Sequence, residues 1–352
     1  MSKSKKTTYL KVKLLKSIRI KSDTAFTFKF SRTHYVIPAW YANQHALMRI
    51  LRLRYDHNGI YLAEIVADNE LETTSLTVNI YGKGDINKED LNQLRKVLVK
   101  SLRLESTPKR VNQARKRKDI TEIIKNDPVV RTAYEYNGIN VKGKLYPSLF
   151  EALCGIICAQ RMVFARIPKM MGKMAEKTAP SIVFNGYLYP AFPYAHEIVA
   201  KGENTLRECG LGYRASRVIK MAKAWEQNNL EQRGNPKTIT MEKLMELPGI
   251  GPYTANLALT LTGRNESKNV HQKSNPHIDS YVRMLIGHLY FDGNVKSEED
   301  TLKFMKSRWG WHAETIISCL TTDSHEWATQ LGFKLPVKSG ARALYLPKRY
   351  RK

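Results

Sequence analysis

Residues 247–255 read LPGIGPYTA, and this short run decides the fold of the second half of the chain. Apolar residues flank it at helical spacing, which predicts two helices joined by a tight hairpin, at about residues 241–263. Gly249 and Gly251 permit backbone angles that other residues resist, and Pro252 suits the first turn of a helix. The hairpin formed by Leu247, Gly249, Ile250 and Gly251 can bind a phosphate through its amides. A purely structural turn between two core helices has the same sequence pattern.

The charge of the chain favours a polyanionic partner. Its 352 residues include 58 Lys and Arg against 32 Asp and Glu, a formal net charge of +26. Nucleic acid is the first candidate, because released counterions would supply sequence-independent affinity. An anionic membrane surface and a merely solvated surface are the alternatives. Against the membrane, the sequence has no apolar run of spanning length and no basic amphipathic helix with a strong apolar face.

Four cysteines are scattered along the chain without the spacing of a metal or cluster site: Cys154, Cys158, Cys209 and Cys319. Buried free thiols are the expected state, and we expect no metal and no organic cofactor. Residues 1–6 are polar and no apolar signal core follows them, so we expect an intracellular location, in the cytoplasm and nucleoid or in a nucleus.

The chain divides into a sheet domain, a helical domain and a tail. Residues 1–105 form the first domain, in which alternating runs predict an antiparallel sheet with one covered face and a helix at 90–104. The predicted strands span 9–14, 46–55, 60–66 and 75–81. Residues 106–335 form a mostly helical domain, so the fold class is α+β. A basic C-terminal tail spans 336–352, and we expect its end, 347–352, to be mobile.

The helical domain opens with a basic stretch at residues 109–118, which fits a solvated helix face and a phosphate-contacting surface equally well. Helical spacing then predicts a long segment interrupted at Pro168 and four further helices. These predicted helices span 149–174, 214–225, 280–290, 299–309 and 314–331.

Asp279 is the acidic residue that follows the hairpin at the start of a predicted helix. It directly precedes a helix whose apolar residues recur at helical spacing and are expected to face the core: Val282, Leu285, Ile286 and Leu289. The structural interpretation is that Asp279 caps this helix. A catalytic interpretation is compatible with it, because the cap fixes the carboxylate and the helix N-terminus favours its negative charge.

Hairpin, aspartate and basic charge together resemble the helix–hairpin–helix DNA glycosylases. Three further stretches are similar to the 8-oxoguanine and 3-methyladenine glycosylase branches of that superfamily, and the resemblance covers about residues 5–335. They are FEALCGIICAQRM at 150–162, CGLGYRASRV at 209–218 and WGWH at 309–312. The iron–sulfur branch does not fit, because only Cys319 follows Cys209.

The resemblance implies that a nucleotide is extruded from double-stranded DNA before its base is cut off. A side chain wedged into the gap offsets the lost stacking. Arg161 or Met162 stands at the wedge position, although both fit a helix surface or the core as well. Gln160, Tyr213 and Arg214 are further candidates for DNA contact. Asp279 is then the residue that stabilises positive charge on the sugar and positions water.

Position 253 indicates the reaction class. Bifunctional members of the superfamily carry a lysine there, whose amine forms a Schiff base. Tyr253 cannot do so, which implies a monofunctional enzyme; Lys268 or Lys273, in the loop before Asp279, is the alternative amine. The resemblance implies a base pocket at Tyr253, Leu257, Ser280 and Trp311.

The aromatic ring of Tyr253 favours cationic alkylated purines, since such bases stack well on an electron-rich ring. An 8-oxoguanine or deaminated-purine glycosylase is the alternative. A helix–hairpin–helix protein that binds DNA without catalysis is the non-enzymatic alternative. We expect a monomer that acts on duplex DNA with a damaged base, without a membrane partner.

Overall fold

A computed structural model describes residues 9–33, 39–53, 59–105, 117–138, 144–162, 166–230, 239–264, 278–336 and 345–350. The fold is α+β, as predicted: an antiparallel sheet near the N-terminus is followed by helices. The predicted basic stretch at 109–118 and the loop with Lys268 and Lys273 lie mostly or wholly outside these residues.

The first part of the chain forms a sheet with two helices. Its elements are β2 (Lys13–Phe26), α1 (Phe28–Thr33), β3 (Trp40–Ala42), β4 (Leu47–Arg52), β5 (Ile60–Ala67), β6 (Thr73–Gly82) and α2 (Lys88–Ser101). The five strands are antiparallel and lie in the order β2-β6-β5-β4-β3. Buried and exposed residues alternate along β6, which shows that one face of the sheet is covered, and Leu94 and Leu98 of α2 are among the residues that cover it. Asn87 caps α2 by accepting a hydrogen bond from the Asp90 amide.

A second, smaller sheet joins the two ends of the chain and was not predicted. Strand β1 (Tyr9–Lys11) runs parallel to β7 (Ser181–Phe184), which pairs with β8 (Tyr187–Pro190), which in turn pairs with β9 (Lys348–Arg349). The predicted strand 9–14 is therefore wrong in part, because β1 leaves the main sheet. The expected mobility of 347–352 is also wrong for residues 347–350, since β9 pairs with β8.

Helices make up the rest of the described chain. Those after the first domain are α3 (Arg117–Asn126), α4 (Pro128–Asn137), α5 (Leu149–Ala159), α6 (Ile167–Thr178), α7 (Ala195–Glu208), α8 (Arg214–Gln227), α9 (Met241–Met245), α10 (Pro252–Leu261), α11 (Ser280–Tyr290), α12 (Glu298–Trp309), α13 (Ala313–Thr321) and α14 (Ser324–Ala328). Short 3₁₀ turns lie at Gly310–His312 and Thr329–Leu331.

Two predicted helices are divided in the structure. The segment 149–174 forms α5 and α6, and Pro168 lies in the first turn of α6, where its missing N–H costs no helical bond. The segment 314–331 breaks at Asp323, whose backbone is left-handed with φ 47°. A left-handed residue cannot continue a right-handed helix, so α14 starts after it.

The helices pack around two different hydrophobic cores. The larger core combines residues of α5 to α10 with parts of both sheets, and includes Leu153, Met171 and Ala255. The smaller core combines α4 with α11 to α14, and includes Val282 and Trp309. The hairpin helix α10 and the helix α11 that begins after Asp279 therefore belong to different cores.

Candidate active site and nucleic-acid interface

The helix–hairpin–helix forms as predicted between α9 and α10. Thr240 caps α9, and Gly251 with Pro252 begins α10. Leu247 and Ile250 are buried and anchor the hairpin on the larger core. Gly249 is exposed and has φ 77°, an angle that side chains rarely adopt. The hairpin thus turns its glycine backbone outward, where a phosphate can approach it.

Asp279 caps α11 as the sequence predicts. Its Oδ1 accepts a hydrogen bond from the amide of Val282 at 2.8 Å, and Asp279 is exposed to solvent. This bond orients the carboxylate, and the positive end of the α11 dipole favours its charge. The group is therefore a fixed negative charge at the surface.

Tyr253 lies close enough to Asp279 for the two side chains to interact electrostatically. Burial raises the pKa of Tyr253, and the negative charges of Asp279 and then Glu298 raise it further. The ring is 60% exposed. Because Tyr253 is on α10 and Asp279 precedes α11, the pair lies where the two helical cores meet.

The other predicted pocket residues differ in their exposure. Leu257, one turn after Tyr253, is half-buried against the larger core, and Ser280 is exposed beside Asp279. The backbone of Trp311 lies in the turn Gly310–His312, while its side chain lies outside the described residues.

The predicted wedge position is a tight turn after α5. Arg161 is exposed there, with a left-handed backbone at φ 49°. Met162 is half-buried and packs against the larger core. Of the two wedge candidates, Arg161 is the one that projects from the surface.

Arg214 holds this turn in place. Its buried guanidinium donates from Nε to the Gln160 carbonyl at 2.9 Å and from Nη2 to the Arg161 carbonyl at 3.2 Å. Nη2 also donates to the Gln160 carbonyl, and the Tyr213 hydroxyl donates to it at 3.4 Å. Gln160, Arg161, Tyr213 and Arg214 therefore form one cluster.

Arg217 is a member of this cluster that the sequence analysis missed. Its Nη1 donates to Oε1 of Gln160, and its guanidinium lies 5.1 Å from the centre of the Tyr213 ring. Arg214 lies 4.5 Å from the same ring. The sequence could have indicated this residue, because Arg217 follows Tyr213 by one helical turn and therefore lies on the same helix face.

The four cysteines are buried and free, as predicted. Burial raises the pKa of Cys158 to about 12, which keeps its thiol protonated. Within the described part of the chain, no group of three or more His, Cys, Asp or Glu side chains could hold a metal ion. No helix among the described residues is both long enough and apolar enough to cross a bilayer.

Comparison with known proteins identifies the fold. No family model matches the chain. A solved 3-methyladenine DNA-glycosylase from Archaeoglobus fulgidus superposes with a TM-score of 0.64, covering 87% of this chain and 98% of that one at 22% identity. The chain has the fold of the helix–hairpin–helix DNA glycosylases.

Two further glycosylases are similar to the chain. The 8-oxoguanine glycosylase/lyase from Clostridium acetobutylicum superposes with a TM-score of 0.54 and 17% identity, over 88% of this chain and 97% of that one. The DNA-3-methyladenine glycosylase of Bacillus subtilis (strain 168) is 29% identical over 143 residues. That match spans 39% of this chain and 46% of the relative, so it covers less than half of either protein.

Proposed function

We propose that this protein is a DNA glycosylase of base excision repair, which hydrolyses the N-glycosidic bond of a damaged base flipped out of duplex DNA. The observation that carries the proposal is the fixed carboxylate of Asp279 beside Tyr253 of the hairpin helix. The glycosylase fold and the net charge of +26 support it.

Asp279 would act on the sugar. As the base leaves, C1′ of deoxyribose gains positive charge, and a fixed carboxylate stabilises that charge more in the transition state than in the ground state. The same carboxylate can orient or deprotonate the attacking water. The bond from the Val282 amide occupies Oδ1, so Oδ2 is the oxygen we assign to the water or the sugar.

The hairpin and the 160–161 turn would hold the DNA. The exposed backbone at Gly249 and Gly251 fits a phosphate, which backbone amides bind regardless of sequence. Arg161 projects from a turn that Arg214 fixes, and we assign it the wedge role. Tyr213, which is 46% exposed, would contact the DNA beside it.

We further propose that the enzyme is monofunctional. The hairpin helix presents Tyr253 where bifunctional members carry a lysine, and a phenol cannot form a Schiff base with C1′. Water would then be the nucleophile and an abasic site with an intact backbone the product. Borohydride trapping tests this: the wild type should give no covalent adduct, whereas an adduct would assign the nucleophile to an amine such as Lys268 or Lys273.

Alkylated purines are the substrates that the site fits best. Such bases are cationic, and the exposed ring of Tyr253 supplies a cation–π surface beside Asp279. They are good leaving groups, so a strong general acid is not required. The 8-oxoguanine alternative is supported by the likeness to the Clostridium structure.

A panel of duplexes with one lesion each tests the function. The panel contains an alkylated purine, 8-oxoguanine, a deaminated purine and an undamaged control, and alkali treatment converts abasic sites to strand breaks. Release from the alkylated duplex supports the leading proposal, and release from another lesion reassigns the substrate. Salt-sensitive binding without release from any lesion would instead indicate the non-catalytic DNA-binding alternative.

A further inference from the structure

Helix α6 carries a row of cations on its outer face. Arg166 directly precedes the helix, and Lys169, Lys173 and Lys177 follow at helical spacing. All four residues are exposed. The opposite face, which includes Met171 and Met174, is buried in the larger core. At 1.5 Å per residue the row is about 16 Å long.

Salt bridges neutralise the carboxylates on this face. Nζ of Lys348 lies 2.6 Å from Oε2 of Glu176, and Lys177 pairs with Glu208. Lys348 belongs to β9, the strand that brings the C-terminal segment back to the fold. The segment lies along α6, since a Cβ at Gly172 would collide with the ring of Tyr345. We call these five cations the α6 basic face: Arg166, Lys169, Lys173, Lys177 and Lys348.

The α6 basic face begins beside the turn that we assign to the wedge. Arg166 is four residues after Met162, so the two are at most about 14 Å apart. Its middle lies near Cys209, four residues before Tyr213. Burial raises the pKa of the Cys209 thiol to about 11, and the nearby charges of Lys177 and Lys173 act in the opposite direction. The turn at 160–162 and Tyr213 are therefore each at most about 14 Å from a residue that belongs to this face or lies near it.

We propose that the α6 basic face binds the phosphate backbone of duplex DNA next to the extruded nucleotide, as a contact surface separate from the hairpin. This rests on the DNA-binding part of the proposed function. A surface about 16 Å long spans about five base pairs of duplex, at 3.4 Å per phosphate on each strand. Exposed lysines bind phosphates as point charges, without regard to sequence. The C-terminal segment supports this binding, because Lys348 neutralises the negative charge of Glu176, which would otherwise repel DNA.

The test compares two variants with the same change in net charge. Lys169→Gln/Lys173→Gln removes two cations of the α6 basic face, and Lys16→Gln/Lys21→Gln removes two exposed cations of strand β2. Glutamine is as good a helix former as lysine, so α6 is preserved. Fluorescence anisotropy with an undamaged duplex at several salt concentrations gives the affinity and its salt slope.

The proposal predicts that the α6 variant binds roughly tenfold more weakly and that its salt slope falls by about 1.8, or 0.9 per lost phosphate contact. The β2 variant should retain the wild-type slope. Equal losses in both variants would show that affinity follows total charge, and an unchanged α6 variant would likewise overturn the proposal. If the wild type itself binds no duplex, the proposed function fails as well, so the two failures are distinguishable.

A second comparison isolates the C-terminal segment. Lys348→Gln should weaken binding, because it exposes the charge of Glu176, and Glu176→Gln in that background should restore affinity. An unchanged affinity of Lys348→Gln, or no recovery in the double variant, would refute the role of Lys348.

Discussion

At the residue scale, Asp279 caps a helix, and we propose that it also has a chemical role. The cap that starts α11 also fixes the carboxylate at 2.8 Å from the Val282 amide. Sequence reasoning could place this cap, because the apolar stripe of α11 begins directly after it. Residue patterns alone could not place Tyr253 near Asp279, since that proximity depends on how two separate cores meet; only the family resemblance implied it.

Tyr253 gives a prediction about substrate preference. In Tyr253→Leu, the ratio of excision rates for a cationic alkylated purine over a neutral lesion should fall about 5–30-fold, because a cation–π contact contributes about 1–2 kcal/mol. Tyr253→Phe keeps the ring and is the matched control. Single-turnover rates on two duplexes measure the ratio. An unchanged ratio in Tyr253→Leu would contradict the assignment of this ring to the base pocket.

Lys144 gives a prediction about stability against pH. Burial, with the nearby charge of Arg32, lowers its pKa to about 7, while its ammonium donates to the Ser31 carbonyl at 2.6 Å. Between pH 7 and 10 the unfolded chain therefore binds more protons at this site, so the free energy of unfolding gains a contribution that rises with pH. Below pH 7 both states are protonated and the contribution is constant.

The measurement is the difference in unfolding free energy between wild type and Lys144→Met, taken from urea titrations at pH 7, 8.5 and 10. The wild type should gain stability relative to the variant as the pH rises. A difference that stays flat over this range would show that the amine is charged in the folded state.

At the element scale, the turn after α5 depends on the first residues of α8. Arg214 donates to the carbonyls of both Gln160 and Arg161. Because a lysine ammonium lacks this planar fork, Arg214→Lys should cost about 1–3 kcal/mol of stability. It should also slow base release about tenfold, since small misplacements of positioning groups are costly.

Lys220→Arg is the matched control for that prediction, because it makes the reverse exchange at an exposed residue of the same helix. Thermal unfolding and single-turnover excision measure the two effects. A variant at Arg214 that matches the Lys220 control in both would mean that the turn holds its shape without the guanidinium.

Helices were easier to predict than the small sheet. The predicted helix 280–290 agrees with Ser280–Tyr290, and 299–309 differs from Glu298–Trp309 by one residue, because caps and apolar stripes are local signals. Strands β7, β8 and β9 were missed. Each has four residues or fewer, and the pairings of β7 with β1 and of β8 with β9 join residues more than a hundred positions apart, which no local pattern encodes. The hairpin of β7 and β8 is local, and its turn at Asn185 and Gly186, both with positive φ, is a hairpin signal that the sequence analysis missed.

At the scale of the whole molecule, buried ion pairs join the N-terminal sheet to the helices. Nη1 and Nη2 of Arg49 on β4 donate to Oε1 and Oε2 of Glu151 on α5 at 2.9 and 2.6 Å, and both side chains are buried. Arg52 makes a second two-pronged pair with Glu197. Helix α5, which leads to the turn at Gln160 and Arg161, is thus fixed to the sheet.

Glu151→Gln should therefore cost about 3–5 kcal/mol of unfolding free energy, because it leaves the Arg49 charge buried and unpaired. Replacing both partners, as in Arg49→Met/Glu151→Leu, should recover most of that loss. Urea titration measures both. A loss of unfolding free energy below about 1 kcal/mol in Glu151→Gln would mean that this pair contributes no more to stability than an exposed salt bridge does.

We propose that Asp279 promotes hydrolysis of the N-glycosidic bond, and single-turnover excision by Asp279→Asn on an alkylated duplex tests this most directly. Asparagine keeps the helix cap, so folding and DNA affinity should persist. Asp292→Asn, at the far end of α11 with φ 50°, is the matched control. We expect base release to fall about 10²–10³-fold in Asp279→Asn and to remain at the wild-type rate in Asp292→Asn. Wild-type release by Asp279→Asn would contradict the account.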